Sequence, residues 1–380
     1  VKNLLAAVAA VVAAALAVDA AGLTEAGRLS AVHDLIIQAR FDRARSALKD
    51  ACPPAPREAC LALEALAVWW QIQQDPDSKT LDGEIERAAQ TAIAAAEQWT
   101  VREPSRAEAW FYLAGAYAPL TEWNVLRGER LRAARNGLKI KDALERTLML
   151  DPSLKDAYFG IGLYHYYAAV APASVRMLRW LLLLPGGDRD QGLREMLQAR
   201  REGVLLRGEA DYQLHWLYLW YEHQPDQALA LLRDLDARYP GNALFLQRIA
   251  EVHRDYRHDR QATIAAWQTL LDRARTKSVE SAPLAEVRAR LGLAEALTEP
   301  SEAARVMTLL APVVDAAPSA PYGSLARAHF ELGRAYDRLG DRVRAIASLT
   351  NAIETAPHDD ATHIRSRARD ELGRIRAQRR

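Results

Sequence analysis

The sequence predicts an all-α fold: an α-solenoid of about eight helical hairpins, closed by a capping helix. Three observations carry this. Ala326–Asp359 reads as a helix, a tight turn and a second helix, with small and bulky apolar residues at helical spacing. The same order of residues recurs along the chain with a period of about 34 residues. The composition, 50% hydrophobic and 26% charged, is that of a globular chain with ample apolar surface to bury.

Within that segment the informative residues are Leu332, Gly333, Tyr336, Ala345, Leu349, Ala352 and Pro357, with His329 in a bulky position ahead of them. Small residues let two helices approach closely, bulky ones fill the interface, and proline stops the second helix. This pattern resembles the tetratricopeptide repeat, which implies helix–turn–helix units stacked side by side into an α-solenoid wound as a right-handed superhelix.

The elements follow in order. Residues 1–20 read as a signal peptide: Lys2, an apolar run Leu4 to Val18, and small residues that suit cleavage after Ala20. An exported, periplasmic protein of a bacterium is expected, with an uncleaved N-terminal membrane anchor as the alternative. Residues 21–106 carry divergent helical pairs, 107–280 the central units and 281–380 the C-terminal units with the cap. Cys52 and Cys60, the two cysteines of the chain, flank a proline-rich loop. They read as a disulfide joining the end of one helix to the start of the next, with two buried thiols as the alternative.

Two units depart from the 34-residue phase. Between Tyr117 and Ile140 about 14 extra residues enter the turn, and Leu126, Leu131 and Leu138 predict a lengthened amphipathic helix there. After His165 about 18 extra residues enter, including the apolar run Met177 to Leu184, too short to cross a bilayer. Burial of that run is expected, with an exposed edge for a partner or membrane surface as the alternative. The last helix, from about Ala361, is rich in arginine between Arg365 and Arg380.

Chemistry-bearing motifs are sparse. No phosphate loop, His-Glu-x-x-His or Gly-x-Ser-x-Gly stretch occurs. Gly186-Gly187-Asp188-Arg189 lacks the Lys-Ser/Thr of a phosphate loop, so Asp188 is expected to cap a helix. Around His358 and His363 helix capping is preferred to metal binding. No enzyme activity, metal or cofactor is expected. The formal charge of +1 leaves no global field for nucleic acid, so none is expected as a partner.

A narrower resemblance covers the fourth unit. Gly160-Ile161-Gly162-Leu163-Tyr164, Pro172, Arg176, Leu178, Leu182, Gly187-Asp188-Arg189 and Gly192-Leu193 are similar to a pattern in the inclusion-body-clearance family of tetratricopeptide proteins. That resemblance implies an interaction protein without a catalytic site.

In tetratricopeptide repeats the first helix of each pair faces a concave groove. The resemblance places Phe111 there from the third unit, Phe159, Tyr166 and Tyr167 from the fourth, and Gln213, Trp220 and Tyr221 from the fifth. From later units it places Gln247, Arg254, Arg327 and Arg334. It implies a groove aromatic in the middle and basic toward the C-terminal end, suited to a protein or peptide partner. The alternative is a membrane-surface-associated envelope assembly factor that uses the 170–187 apolar segment and the Arg-rich C-terminus for peripheral contact.

Overall fold

The computed structural model describes residues 22–170, 186–359 and 362–377. Among the described residues, seventeen α-helices and one short 3-10 turn (Pro300–Glu302) make up the regular structure, with no strand. In chain order they form hairpins: α1 (Ala26–Ile37) with α2 (Phe41–Ala51), α3 (Arg57–Gln74) with α4 (Asp82–Arg102), and α5 (Ala107–Leu126) with α6 (Arg130–Leu150). Then come α7 (Ala157–Val170) with α8 (Arg189–Glu202), α9 (Arg207–Trp220) with α10 (Pro225–Arg238), and α11 (Ala243–Asp255) with α12 (Arg260–Arg275). Last are α13 (Ala282–Ala296) with α14 (Ala303–Ala316), α15 (Ser324–Arg338) with α16 (Arg342–Thr355), and the single helix α17 (Ile364–Ala377). The leader at 1–20 and the Met177–Leu184 run lie outside the described residues.

Local chemistry starts these helices where the sequence places polar caps. The Asp188 carboxylate accepts from the Gln191 amide at 2.8 Å, Asp259 from Ala262 at 2.9 Å and Asp341 from Arg344 at 3.0 Å, each satisfying an N–H that lacks a partner in the first turn. Asp188 thus caps α8, as its position suggested.

The chain divides into two compact units. One comprises the chain through Ile37, Phe41–Trp70 and Asp82–Gln213; the other comprises Gln38–Arg40, Gln71–Leu81 and the chain from Leu214 onward.

In the first unit α5 packs on α6 and α7 on α8. The third-unit insertion is helical, as expected, and it lengthens α5 and α6 so that residues 127–129 alone make the turn. The expected apolar face is corrected, because Leu131 is 75% exposed and the buried residues of α6 are Ala133, Lys141, Ala143, Leu144 and Thr147. The residues that face α5 set the buried stripe, and Leu131 lies off it. A disulfide joins Cys52, just past α2, to Cys60 on α3.

The contact between α7 and α8 is set by two glycines. A Cβ on Gly192 would lie 2.5 Å from the Gly162 carbonyl oxygen and 2.6 Å from the Tyr166 nitrogen; one on Gly162 would lie 2.7 Å from the Gly192 oxygen. These neighbours are backbone atoms, which cannot swing away as a side chain can. Around this contact Ile161, Tyr166, Met196 and Ala199 are buried.

In the second unit α11 packs on α12, α13 on α14 and α15 on α16. The last hairpin has the same close-approach chemistry, since a Cβ on Gly333 would meet Leu349 Cγ at 2.7 Å. Ala326, Phe330, Ala345, Leu349, Ala352 and Ala356 join Ile364, Ala368, Leu372 and Ile375 of α17 in one core, with Tyr336 packed against it. The apolar stripe of α17 closes the stack.

Gly192→Ala is expected to cost about 2 kcal/mol of stability in chemical denaturation, by forcing α7 and α8 apart. Gly162→Ala added to it should cost less than the sum of the single changes, because the first methyl has already opened the same contact.

Candidate functional site

The first helix of each hairpin in the second unit carries charged residues along one stripe. On α11 these are Arg248, Glu251 and Arg254, on α13 Arg288 and Glu295, and on α15 Arg327 and Glu331. Spacings of three, four and seven put each set on one helix face. Together with Gln247, Leu291, Arg367 of α17 and the 75–77 stretch, they line a cavity of about 390 Å³.

Arginine and carboxylate alternate around it. Arg248 Nη1 lies 2.6 Å from Glu251 Oε2, and Arg254 Nη1 lies 3.1 Å from Glu295 Oε2. Burial pushes the Glu251 carboxyl up, but Arg248 and Gln247 outweigh it and hold the group below the usual range. Bonding to Asp255 and the nearness of Glu295 raise Arg254 further. Arg288 is the most enclosed of the arginines, 8% exposed, and burial lowers it to about 10, so it stays charged at neutral pH. It bonds the Gln74 carbonyl oxygen and stands 3.8 Å from Asp75. The Tyr322 amide donates to Asp75 at 3.0 Å.

A second, smaller cavity of about 210 Å³ shares Arg248 and Glu251 with the first. Its wall is aromatic. Trp216 and Trp220, one turn apart on α9, stack with centroids 4.4 Å apart, and the Arg248 guanidinium sits 4.9 Å over Trp216. Trp220 is 50% and Tyr256 39% exposed, so this unit presents aromatic surface directly beside its ion pairs.

The groove residues expected from the resemblance separate into three fates. Gln247, Arg254 and Arg327 line the large cavity, and Trp220 lines the small one. Tyr221 is exposed, 38%, outside both linings. Arg334 is half-buried and lines neither; it holds Glu331 at 3.1 Å from outside. The first unit requires a correction: Phe111, Phe159 and Tyr166 are buried and cannot meet a partner. Helix α5 is apolar nearly all round, so Phe111 packs against Tyr112, with ring centroids 5.2 Å apart, instead of facing solvent. Tyr167 is half-buried, with its ring 6.0 Å from that of Tyr166. Arg248, Glu251, Arg288, Glu295 and Glu331 were absent from the expected set, although their same-face spacing was present in the sequence. Asp75 and Tyr322 come from outside these helices and carried no such signal.

Gln213 belongs to a different arrangement, inside the first unit. Its amide donates to Glu122 at 2.8 Å and also bonds Glu209, whose other partner is the Trp70 indole N–H at 2.9 Å. Burial raises Glu209 from 4.5 to about 7; the bonds from Trp70 and Gln213 oppose that only partly. Burial and the charge of Glu209 push Glu122 well up. Neither carboxylate makes an ion pair among the described residues.

Because Glu209 binds its proton more tightly folded than unfolded, its contribution is full below pH 4.5 and fades as pH rises to about 7. Stability is expected to fall by roughly 1.4 kcal/mol per pH unit in that window. Glu209→Gln should flatten the fall, as read by thermal unfolding across the window.

No group of three or more metal-capable side chains gathers among the described residues, and no described helix is long and apolar enough to cross a membrane.

No family model matches the sequence, and no curated protein matches it. Among solved structures, the APC/C hetero-tetramer Cut9–Hcn1 superposes with a TM-score of 0.49 at 14% identity, over 90% of this chain and 54% of that one. This chain therefore spans about half the length of that neighbour. The human IFIT1 dimer with m7Gppp-AAAA gives a TM-score of 0.46 at 14% identity, over 94% of this chain and 87% of that one. Both are tetratricopeptide-repeat proteins. By the phase and contacts of its own helices, this chain is an array of tetratricopeptide-like hairpins followed by a single terminal helix.

Proposed function

We propose that the chain is a non-enzymatic scaffold that binds a protein or peptide partner on the face built by α9, α11, α13, α15 and α17. The observation that carries this reading is the adjacency of half-exposed Trp220 and Tyr256 to the ion-paired stripe of α11. Aromatic anchors beside guanidiniums suit partner recognition, and rigid helices present them without an ordering cost at each encounter. The carboxylates of the large cavity are engaged with arginine or backbone N–H, Asp77 excepted, so the lining offers charged recognition groups.

The reading includes export to an oxidising compartment such as the periplasm. The leader-like N-terminus and the Cys52–Cys60 disulfide support it.

The test is affinity capture from a cell-envelope extract on immobilised protein, identified by mass spectrometry. Trp220→Ala combined with Tyr256→Ala is expected to weaken capture of the partner by about 30-fold, equivalent to about 2 kcal/mol, with the helical circular-dichroism signal unchanged. Equal capture by the wild type and a well-folded double variant would sink the assignment of this face.

A further inference from the structure

We propose that the large cavity is a carboxylate-binding site, in which Arg288, Arg327 and Arg367 receive an oxyanion. This deepens the partner-binding reading and rests on it only for the source of the carboxylate, an acidic side chain of the partner or a free small acid.

The argument is a count of unmet donors. Glu251 and Glu295 have close guanidinium partners, Glu331 is held by Arg334, and Asp75 accepts from the Tyr322 amide. Three guanidiniums have no such match. Arg288 spends one donor on the Gln74 carbonyl and meets its carboxylate only at 3.8 Å; Arg327 stands 3.7 Å from Glu295. Arg367 makes no ion pair among the described residues and lies over the Phe330 ring at 4.6 Å. Each guanidinium has five N–H donors, so all three face the cavity with donors to spare while most of the acceptors are taken.

The chain itself shows which group suits this wall. Its 71–81 stretch, from a distant part of the sequence, brings Asp75 to Arg288 and Asp77 to the lining. That stretch is also tied down at Lys79, whose ammonium lies 2.5 Å from Asp359, the acceptor of the Tyr322 hydroxyl at 2.6 Å. A native carboxylate therefore already occupies one edge of the arginine cluster. A planar carboxylate group matches a guanidinium fork. Asp77 makes no ion pair among the described residues, so its charge weakens any incoming anion.

The experiment is isothermal titration of the full chain at neutral pH and low salt with two probes, citrate and an acetylated, amidated hexaglutamate. Both are expected to bind and to compete. Arg327→Gln with Arg367→Gln should weaken both by about tenfold or more, while Asp77→Asn should tighten both by about threefold. Unchanged thermal unfolding of each variant shows that the fold is kept. Citrate binding that depends on the arginines, with no hexaglutamate binding, upholds the site, assigns it to small acids and removes the cavity from the partner face. Hexaglutamate binding unaffected by the double variant overturns the carboxylate site and leaves the partner face standing. Binding of neither probe up to about 10 mM overturns the carboxylate site.

Discussion

Close approach between neighbouring helices is the constraint on which the rest depends. Where two helices meet at Gly162 and Gly192, or where Gly333 accepts Leu349, no room remains for a Cβ. The separation is fixed by the absence of atoms, and the larger residues beside it lock the register. Once the helices of a hairpin are set this way, one face of its first helix is committed to packing. The other face is left over, and in the second unit that leftover face is where the charged stripes lie.

The stripes resolve a cost that packing creates. An arginine as enclosed as Arg288 loses hydration, and the loss is offset by the Gln74 carbonyl and the nearby Asp75. Glu331 faces the same penalty: burial pushes its carboxyl up, opposed by Arg334. Alternating signs put most of the carboxylates near a guanidinium, so the lining stays polar without a large net charge. In the first unit the balance falls differently. Glu122 and Glu209 are held by neutral donors, the Gln213 amide and indole N–H groups, and burial without a counter-cation raises the proton affinity of both.

The two insertions and the aromatic residues show how far repeat phase reaches. Phase identified the extra residues between Tyr117 and Ile140, and helix propensity made them helical. Phase also assigned Phe111, Phe159 and Tyr166 to a groove, and packing overrode that assignment. A repeat position states which way a side chain would point in a regular array; the part of α5 around Phe111 is enclosed by its neighbours, and Phe111 is buried there.

The sequence by itself determined the helix class, the hairpin phase, the cap at Asp188 and the small residues at the interfaces. These follow from chemistry within one or two turns. It also placed Gln247, Arg254 and Arg327 on one side of their first helices, and all three line the large cavity. Only the tertiary structure decided which aromatics are core and which, like Trp220, remain exposed. It alone brought Asp75 to Arg288, across 213 positions of sequence, into one cavity with Tyr322 and Arg367. The physical reason is that burial and ion pairing depend on neighbours supplied by distant segments, while helix formation and capping depend on neighbours along the chain.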